Sequence, residues 1–173
     1  MTNEELKSFV RDIPDFPKPG IIFKDITPLL ADAGALAATV DHIAEPFLGG
    51  VDVVLGIESR GFIVGAAVAY RLGVGMVIAR KPGKLPYHRV SQQYQLEYGF
   101  DSLEIHQDAI APNRRVLIVD DLLATGGTAE AAIGLVTALK GQVVGCAFII
   151  ELGFLQGRTR LAGTKCWSLI RYD

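Results

Sequence analysis

Short β-branched runs alternate along the chain with segments of helical composition, and this alternation constrains the fold more than any other feature. The apolar run at 51–57 precedes a helix-like stretch at 61–72. Continuous apolar runs of this length are typical of strands that are buried on both faces of a parallel sheet. Further strands are predicted at 74–79, 115–119, 142–151 and 165–170, with a helix at 129–139. We therefore expect an α/β fold, a mostly parallel twisted sheet flanked by helices.

Two segments depart from this alternation. Residues 13–30 contain four prolines and one glycine, and this composition predicts no regular element there. Residues 80–99 form a long insertion between two core strands, and long insertions in compact domains are usually functional. In this insertion Tyr94, Leu96 and Tyr98 alternate with polar residues, which predicts that part of it forms a hairpin arm.

Length and composition limit the class of protein. The 173 residues fit one domain, 1–173, and the formal net charge of −2 argues against a general nucleic-acid-binding protein. No apolar run approaches the roughly 18 residues of a membrane helix, and no secretory signal is recognised. Cys146 and Cys166 lie in apolar stretches without CxxC spacing. This favours reduced thiols and a cytoplasmic protein over a disulfide or a metal site.

The stretch 116–128 carries the strongest chemical signal. A buried strand ends in Asp120 and Asp121, and a short turn then leads into a helix. The turn consists of Ala124, Thr125, Gly126, Gly127 and Thr128. Backbone N–H groups at a helix N-terminus suit a phosphate, and glycine lets the backbone approach its oxygens closely. The two acids would then accept hydrogen bonds from sugar hydroxyls or help to hold a ligand-bound Mg²⁺.

An acid pair or a glycine turn alone would indicate an ordinary strand-to-helix connection with solvated carboxylates. The combination favours a phosphate site at the carboxyl end of a strand. The sequence contains no GxxxxGK[ST] motif and no GxGxxG after a strand, so neither a P-loop nor a dinucleotide fingerprint is predicted.

The stretch 116–128 closely resembles the phosphoribosyl pyrophosphate (PRPP) signature of the type I phosphoribosyltransferase family. Residues 122–125 are similar to the form found in the members that use adenine. Residues 14–28 resemble the family's base-binding segment and 56–62 its pyrophosphate loop. Residues 80–86 and 96–99 resemble the two ends of its catalytic loop. The resemblance implies the type I fold, with a small N-terminal hood (about 1–30) and a mobile catalytic loop (about 80–99).

The resemblance also implies how PRPP binds. The 124–128 turn would hold the 5′-phosphate, with Asp120 and Asp121 beside the ribose hydroxyls. Ser59 and Arg60 open a predicted helix and would contact the pyrophosphate, in a loop that in family members commonly has a non-proline cis peptide. Mg²⁺ would be held mainly by PRPP and water, with no direct ligand from the protein.

A basic cluster made of Arg80, Lys81 and Lys84 matches pyrophosphate-binding positions of the family. A solvated basic loop is the general alternative for such a run. In related enzymes the arginine reaches into the partner's site, so the resemblance implies a homodimer. The loop tip at 87–93 differs from the acid-rich turn of many bacterial members, and we infer no change of specificity from it.

The base would be read by the segment that contains Ile22, Phe23 and Lys24. Phe23 would stack on the purine, unless it is an ordinary core residue, while backbone groups of Ile22 and Lys24 would read the edge of the base. The resemblance implies that Glu97 is the general acid/base near adenine N7, with Tyr98 closing over the site. The alternative for Glu97 is a surface carboxylate on the arm.

The activity implied is transfer of the 5-phosphoribosyl group from PRPP to N9 of adenine, giving AMP and pyrophosphate in purine salvage. Two alternatives remain at this point. One is a phosphoribosyltransferase for another purine such as hypoxanthine or xanthine. The other is a PRPP-sensing regulator of the same fold without turnover.

Overall fold

A computed structural model describes residues 1–96 and 99–173. Its strands are β1 (Arg11–Pro14), β2 (Ile22–Asp25), β3 (Val53–Ile57), β4 (Gly75–Ala79), β5 (Arg89–Gln95), β6 (Phe100–His106), β7 (Arg115–Leu123), β8 (Gln142–Leu152) and β9 (Cys166–Tyr172). Its α-helices are α1 (Asn3–Lys7), α2 (Thr27–Ala31), α3 (Ala33–Ala44), α4 (Arg60–Leu72) and α5 (Gly127–Ala138). Short 3-10 helices lie at Glu45–Phe47, Gly153–Leu155 and Gly157–Leu161.

The predicted parallel sheet is confirmed. Five strands form it in the order β4-β3-β7-β8-β9, and all four neighbouring pairs are parallel. Successive side chains of β7 enter different cores. Leu117 and Val119 pack with α3 and α4, whereas Val116 and Ile118 pack with α5. Because both faces are covered at β7, residues 116–119 are apolar throughout rather than alternating.

The expectation of no regular element at 13–30 is wrong. In the structure β1 and β2 pair there as an antiparallel hairpin, and α2 follows directly. The prolines are compatible with these elements because of where they lie. Pro14 ends β1, and Pro28 occupies the first turn of α2, where its missing N–H group has no helical partner to lose.

Other boundaries shift by a few residues. β7 continues to Leu123 rather than ending at 119, because its pairing with β8 extends to Glu151. The acid pair therefore belongs to the strand itself. Helix α5 begins at Gly127, two residues before the predicted start at 129. Helix α3 lies in a segment for which no element was predicted.

The predicted hairpin arm is confirmed as β5 and β6, which pair from Arg89↔His106 to Gln95↔Phe100. Tyr94 is buried in the core that α5 covers, so the arm packs on the body of the domain. Cys146 and Cys166 are free thiols, and burial raises the pKa of Cys146 to about 12. Among the described residues, no helix has the length and apolar character needed to cross a membrane.

Candidate active site

The site lies where the chain reverses direction across the sheet. From β3 the chain passes through α4 to β4 on one side, and β7 lies on the other side of β3. Ligands of open α/β sheets bind at such a point, beyond the carboxyl ends of the strands. Residues 58–60 follow β3, the acid pair lies near the end of β7 and the turn follows that strand, so two of the predicted motifs are neighbours. A Cβ on Gly61 would lie 2.8 Å from Asp120 Oδ1, which shows how closely the start of α4 approaches the end of β7.

The turn 124–128 presents the N-terminus of α5. Gly126 is the N-cap with a φ of 87°, and no side chain in the described part of the chain caps the helix. Its first N–H groups therefore point out of the helix without a side-chain acceptor. A small cavity of about 60 Å³ adjoins this end of the helix, lined by Asp120, Thr125, Gly126 and Thr128 among others. This is a geometry that accepts a phosphate.

The two acids are in different environments. Asp121 pairs with Arg60, at 3.0 Å between Oδ2 and Nε. Asp120 is buried and accepts a hydrogen bond from the N–H of Asp121 at 2.9 Å. Burial raises the pKa of Asp120 well above its usual value, and the neighbouring charge of Asp121 raises it further. The surroundings of Asp120 thus work against its charged form.

Arg60 connects the sheet edge to the hood. Its guanidinium carbon lies 4.9 Å from the centroid of the Phe23 ring, a cation–π distance. Phe16 packs edge-on against the same ring at 5.2 Å. A cavity of about 340 Å³ opens between these groups, lined by Ile13, Phe16, Phe23, Asp25, Thr27 and Arg60. Phe23 therefore borders an open, largely apolar cavity rather than filling the core.

The residues of the predicted basic cluster all bond to Glu58, which the sequence motifs did not identify as a site residue. Glu58 accepts hydrogen bonds from Lys84 Nζ at 2.5 Å, from Lys81 N at 2.8 Å and from Arg80 Nε at 3.3 Å. The peptide bond between Glu58 and Ser59 is cis. Burial acts to raise the pKa of Glu58, but the bonds from Lys84, Lys81 and Arg80 outweigh it and lower the pKa to about 2. The carboxylate thus gathers the cations in the position expected for an anionic ligand.

The lowered pKa of Glu58 predicts a pH-dependent contribution to stability. Since the ordinary value is 4.5, the contribution is fully present above pH 4.5 and is lost as the pH falls towards about 2. We expect the melting temperature of Glu58→Gln to fall less steeply than that of the wild type between those pH values. Thermal unfolding of both proteins across the range measures this. Parallel curves would contradict the ionic role of Glu58.

Lys81 is placed differently from the other two cations. Its Nζ donates to Tyr94 Oη at 2.6 Å and pairs with Asp101, so its side chain is held within the arm. Burial alone would lower the pKa of Lys81, but these two partners raise it, and the ammonium stays charged. The structure therefore brings Arg80 and Lys84 to the pyrophosphate loop and directs the Lys81 side chain to the turn end of the arm.

The residues expected to read the base lie on β2. Ile22 is exposed, and Phe23 borders the cavity beside Arg60. The side chain of Lys24 faces away from that cavity and bonds to Asp12 at 2.6 Å. Glu97 and Tyr98 lie outside the described residues.

Arg160 is a second residue that the sequence analysis did not identify. Its Nη1 donates to the carbonyl of Gln95 at 3.3 Å and would lie 3.1 Å from a Cβ on Gly127. It therefore joins the arm to the start of α5. No pattern near Arg160 indicates this position, because the contact spans 65 residues. For Glu58 a signal existed, since it stands directly before Ser59 in a predicted anion-binding loop.

The arrangement also limits how a metal ion could be held. Within residues 1–96 and 99–173, no group of three or more His, Cys, Asp or Glu side chains is placed to bind one. The site is thus rich in anion-binding groups and poor in metal ligands.

Comparisons with known proteins agree with this geometry. The pattern that defines the phosphoribosyl transferase domain matches residues 23–168. The adenine phosphoribosyltransferase of Trichlorobacter lovleyi is 55% identical over 170 residues, which cover 98% of this chain and 99% of that protein. This chain belongs to the adenine phosphoribosyltransferase family.

Solved structures of the family have the same fold. The enzyme of Thermoanaerobacter pseudethanolicus superposes with a TM-score of 0.96 at 53% identity, over 99% of this chain and 100% of that one. The Saccharomyces cerevisiae adenine phosphoribosyltransferase superposes with a TM-score of 0.91 at 39% identity, over 97% of this chain and 98% of that one. That structure is a complex with an imino-altritol bisphosphate and adenine. The type I phosphoribosyltransferase fold predicted from the sequence is thereby confirmed.

Proposed function

We propose that this chain transfers the 5-phosphoribosyl group from PRPP to N9 of adenine, giving AMP and pyrophosphate. The observation that carries the proposal is the position of Arg60, which contacts Asp121 at the sheet edge and Phe23 in the hood. One crevice is thus faced by four parts of the site: the 124–128 turn (the phosphate turn), the acid pair, the pyrophosphate loop and the base segment. This is the arrangement that a substrate with two separate anionic groups and a planar base requires.

PRPP binding is assigned to the loops at the sheet edge. The N–H groups and hydroxyls of 124–128 hold the 5′-phosphate, and Asp120 and Asp121 lie beside the ribose. Ser59 and Arg60 open α4 and bind the pyrophosphate, so both anionic ends meet a helix N-terminus. When pyrophosphate binds, Arg80, Lys81 and Lys84 turn from the carboxylates that hold them to the leaving group.

The chemistry is displacement of pyrophosphate from the anomeric carbon by N9. Positive charge spreads over the ribose as the bond to the leaving group lengthens, and negative charge grows on the pyrophosphate. Cations aimed at that oxygen cluster therefore stabilise the transition state more than the ground state. Glu97 acts as the general acid/base that exchanges a proton with the attacking purine, and Tyr98 helps to keep water from the activated ribose.

Mg²⁺ fits this site as an ion that arrives with PRPP. The two acids offer few free ligand oxygens, because Asp121 pairs with Arg60 and Asp120 is buried. Mg²⁺ retains water and substrate phosphate oxygens readily, so it does not need a full set of protein ligands. When bound, the ion supplies positive charge to the leaving pyrophosphate.

Adenine is assigned to the cavity beside Phe23, with its edge read by the backbone of Ile22 and Lys24. Because the Lys24 side chain faces away, its backbone groups are the part that can contact the base. We further propose that residues 1–173 act as one domain, with 1–30 as the hood and 80–99 as the catalytic loop, in the cytoplasm.

A panel of bases tests the substrate. The protein is incubated with PRPP, Mg²⁺ and adenine, hypoxanthine, guanine or xanthine, and pyrophosphate release is measured. Release with adenine alone is expected. Release with a 6-oxopurine alone would assign the chain to another purine, and no release with any base would favour a regulator that has lost turnover.

We also propose that the chain acts as a homodimer in which Arg80 reaches the partner's site. The exposed apolar side chains of Ile63 and Tyr70 on α4 and Ile78 on the edge strand β4 support a contact surface there. Arg80 is held by Glu58 at 3.3 Å, longer than the usual 2.7–2.9 Å of charge-assisted bonds. A side chain held this weakly can change partners.

Mixed dimers test the shared site. Arg80→Ala is expected to lower activity about tenfold or more, since it removes a cation from the leaving group. When it is co-expressed with a chain whose phosphate turn is disabled, each mixed dimer regains one complete site. Random pairing then restores about one quarter of wild-type activity. If the co-expressed chains are no more active than either variant alone, Arg80 serves its own subunit.

A further inference from the structure

Strand β2 presents alternate residues to opposite sides. Phe23 borders the cavity assigned to the base, and Lys24 projects from the other face. The Lys24 Nζ lies 3.9 Å from the centroid of the Tyr172 ring, well within cation–π distance. One face of β2 thus meets the ligand cavity, and the other meets an aromatic ring.

The Lys24 ammonium is enclosed rather than solvated. Its side chain is only 10% exposed, and its Nζ bonds to Asp12 Oδ1 at 2.6 Å. Asp12 is the residue directly opposite Lys24 in the β1-β2 hairpin. The charge is therefore held between a carboxylate and a ring face, and desolvation strengthens a cation–π contact.

The ring belongs to the central sheet, whereas the lysine belongs to the hood. Tyr172 ends β9 and pairs with Leu152 of β8. Among the described strands β2 pairs with β1 alone, so backbone hydrogen bonds do not tie the hood hairpin to the sheet. The contact of Lys24 with Tyr172 is thus a direct link between the strand that reads the base and the sheet that binds PRPP.

We propose that Tyr172 is a positioning residue for the base. Its ring holds Lys24, which fixes the rotation of β2 and so aims the backbone groups of Ile22 and Lys24 at the purine edge. This inference rests on the proposed base-binding role of β2. Without the ring, β2 can rock about its axis, and base binding weakens while the PRPP groups on the sheet keep their geometry.

Steady-state kinetics of Tyr172→Leu and Tyr172→Phe test this. Tyr172→Leu is expected to raise KM for adenine about fivefold, the equivalent of one cation–π contact, with kcat and KM for PRPP within about twofold. Tyr172→Phe keeps a ring face and is therefore expected to have the KM for adenine of the wild type. Trp167→Leu removes another aromatic side chain from β9, one that lines a separate cavity with His42 and Pro46, and serves as the matched control.

A double variant sharpens the test. Lys24→Met keeps the aliphatic stem and removes the charge, so it should raise KM for adenine by a similar factor. Combined with Tyr172→Leu it should add little, because both remove the same contact. If the double variant instead raised KM for adenine by the product of the two single factors, the proposed link between these residues would be wrong.

Two ligands separate this inference from the proposed activity. By calorimetry, Tyr172→Leu should bind AMP about fivefold more weakly and ribose 5-phosphate with unchanged affinity. Because calorimetry needs no turnover, it tests the positioning role even in an inactive protein. A wild type without transferase activity would refute the proposed function, and the AMP affinity of Tyr172→Leu would still decide the role of Tyr172. An unchanged AMP affinity, or equal losses for both ligands, would overturn the proposal. If the wild type uses a 6-oxopurine, the KM increase must appear for that base.

Discussion

Replacing Gly127 by valine is expected to weaken PRPP binding by about 100-fold or more while the chain still folds. A hydrogen bond to a charged group contributes about 1.5–3 kcal/mol, and two such bonds correspond to this factor. Gly127 is the first residue of α5, and its backbone faces the position assigned to the 5′-phosphate. A branched side chain there would keep the phosphate oxygens away from the helix N–H groups.

The fold should survive because the nearest groups that a side chain would meet belong to the arm and to Arg160 rather than to the central sheet. A Cβ on Gly127 would lie 3.0 Å from Tyr94 Cδ2, 3.1 Å from Arg160 Nη1 and 3.3 Å from the carbonyl oxygen of Gln95, so small shifts of the arm can accommodate it. Gly126 is a poorer choice for the same test. Its φ of 87° and the backbone carbonyl of Gly157 beside it mean that any side chain there would strain the fold itself.

Isothermal calorimetry with PRPP measures the effect, and circular dichroism monitors the fold. Gly134→Ala is the matched control, because Gly134 lies in the same helix and its added Cβ would meet only the flexible side chain of Gln92. We expect Gly134→Ala to bind PRPP as the wild type does. Equal affinity of Gly127→Val and Gly134→Ala for PRPP would remove the phosphate turn from the site.

The central sheet could be predicted because a few contiguous residues carry the sequence signal of each strand. Strands buried on both faces need apolar side chains throughout, and this makes 51–57 and 115–119 recognisable. The hood hairpin could not be predicted in the same way. Proline composition is a signal about single residues, whereas the pairing of β1 with β2 depends on where each proline falls in the register.

The candidate site likewise contains residues that local sequence motifs identify and residues that only the folded chain brings together. The phosphate turn, the acid pair and the basic cluster are local motifs, so their residues could be identified from order alone. Their partners in the folded chain are distant in sequence. Glu58 meets Lys84 across 26 residues and Lys81 meets Asp101 across 20. Such pairs follow from the strand order of the sheet and the packing of the arm, which spacing along the chain does not encode.

Glu97→Gln is expected to lower kcat about 100-fold or more, with KM for PRPP nearly unchanged. General acid/base groups contribute about 10² to 10⁴ to the rate, and glutamine keeps the shape of the side chain while it cannot exchange a proton. The PRPP-binding groups proposed here belong to the sheet edge and the basic cluster, so a change at residue 97 leaves that affinity intact. The loss should therefore appear in turnover alone.

The pH dependence of kcat distinguishes proton transfer from a steric effect. The wild type should lose activity on one side of its pH optimum as Glu97 titrates, and Glu97→Gln should lack that limb because its amide does not titrate. Glu45→Gln makes the same chemical change at an exposed position in the 3-10 helix after α3 and should leave kcat unaltered. If kcat of Glu97→Gln stays within about threefold of the wild type, far below the contribution of a general acid/base, Glu97 is a surface carboxylate. Another group must then carry the proton from the purine.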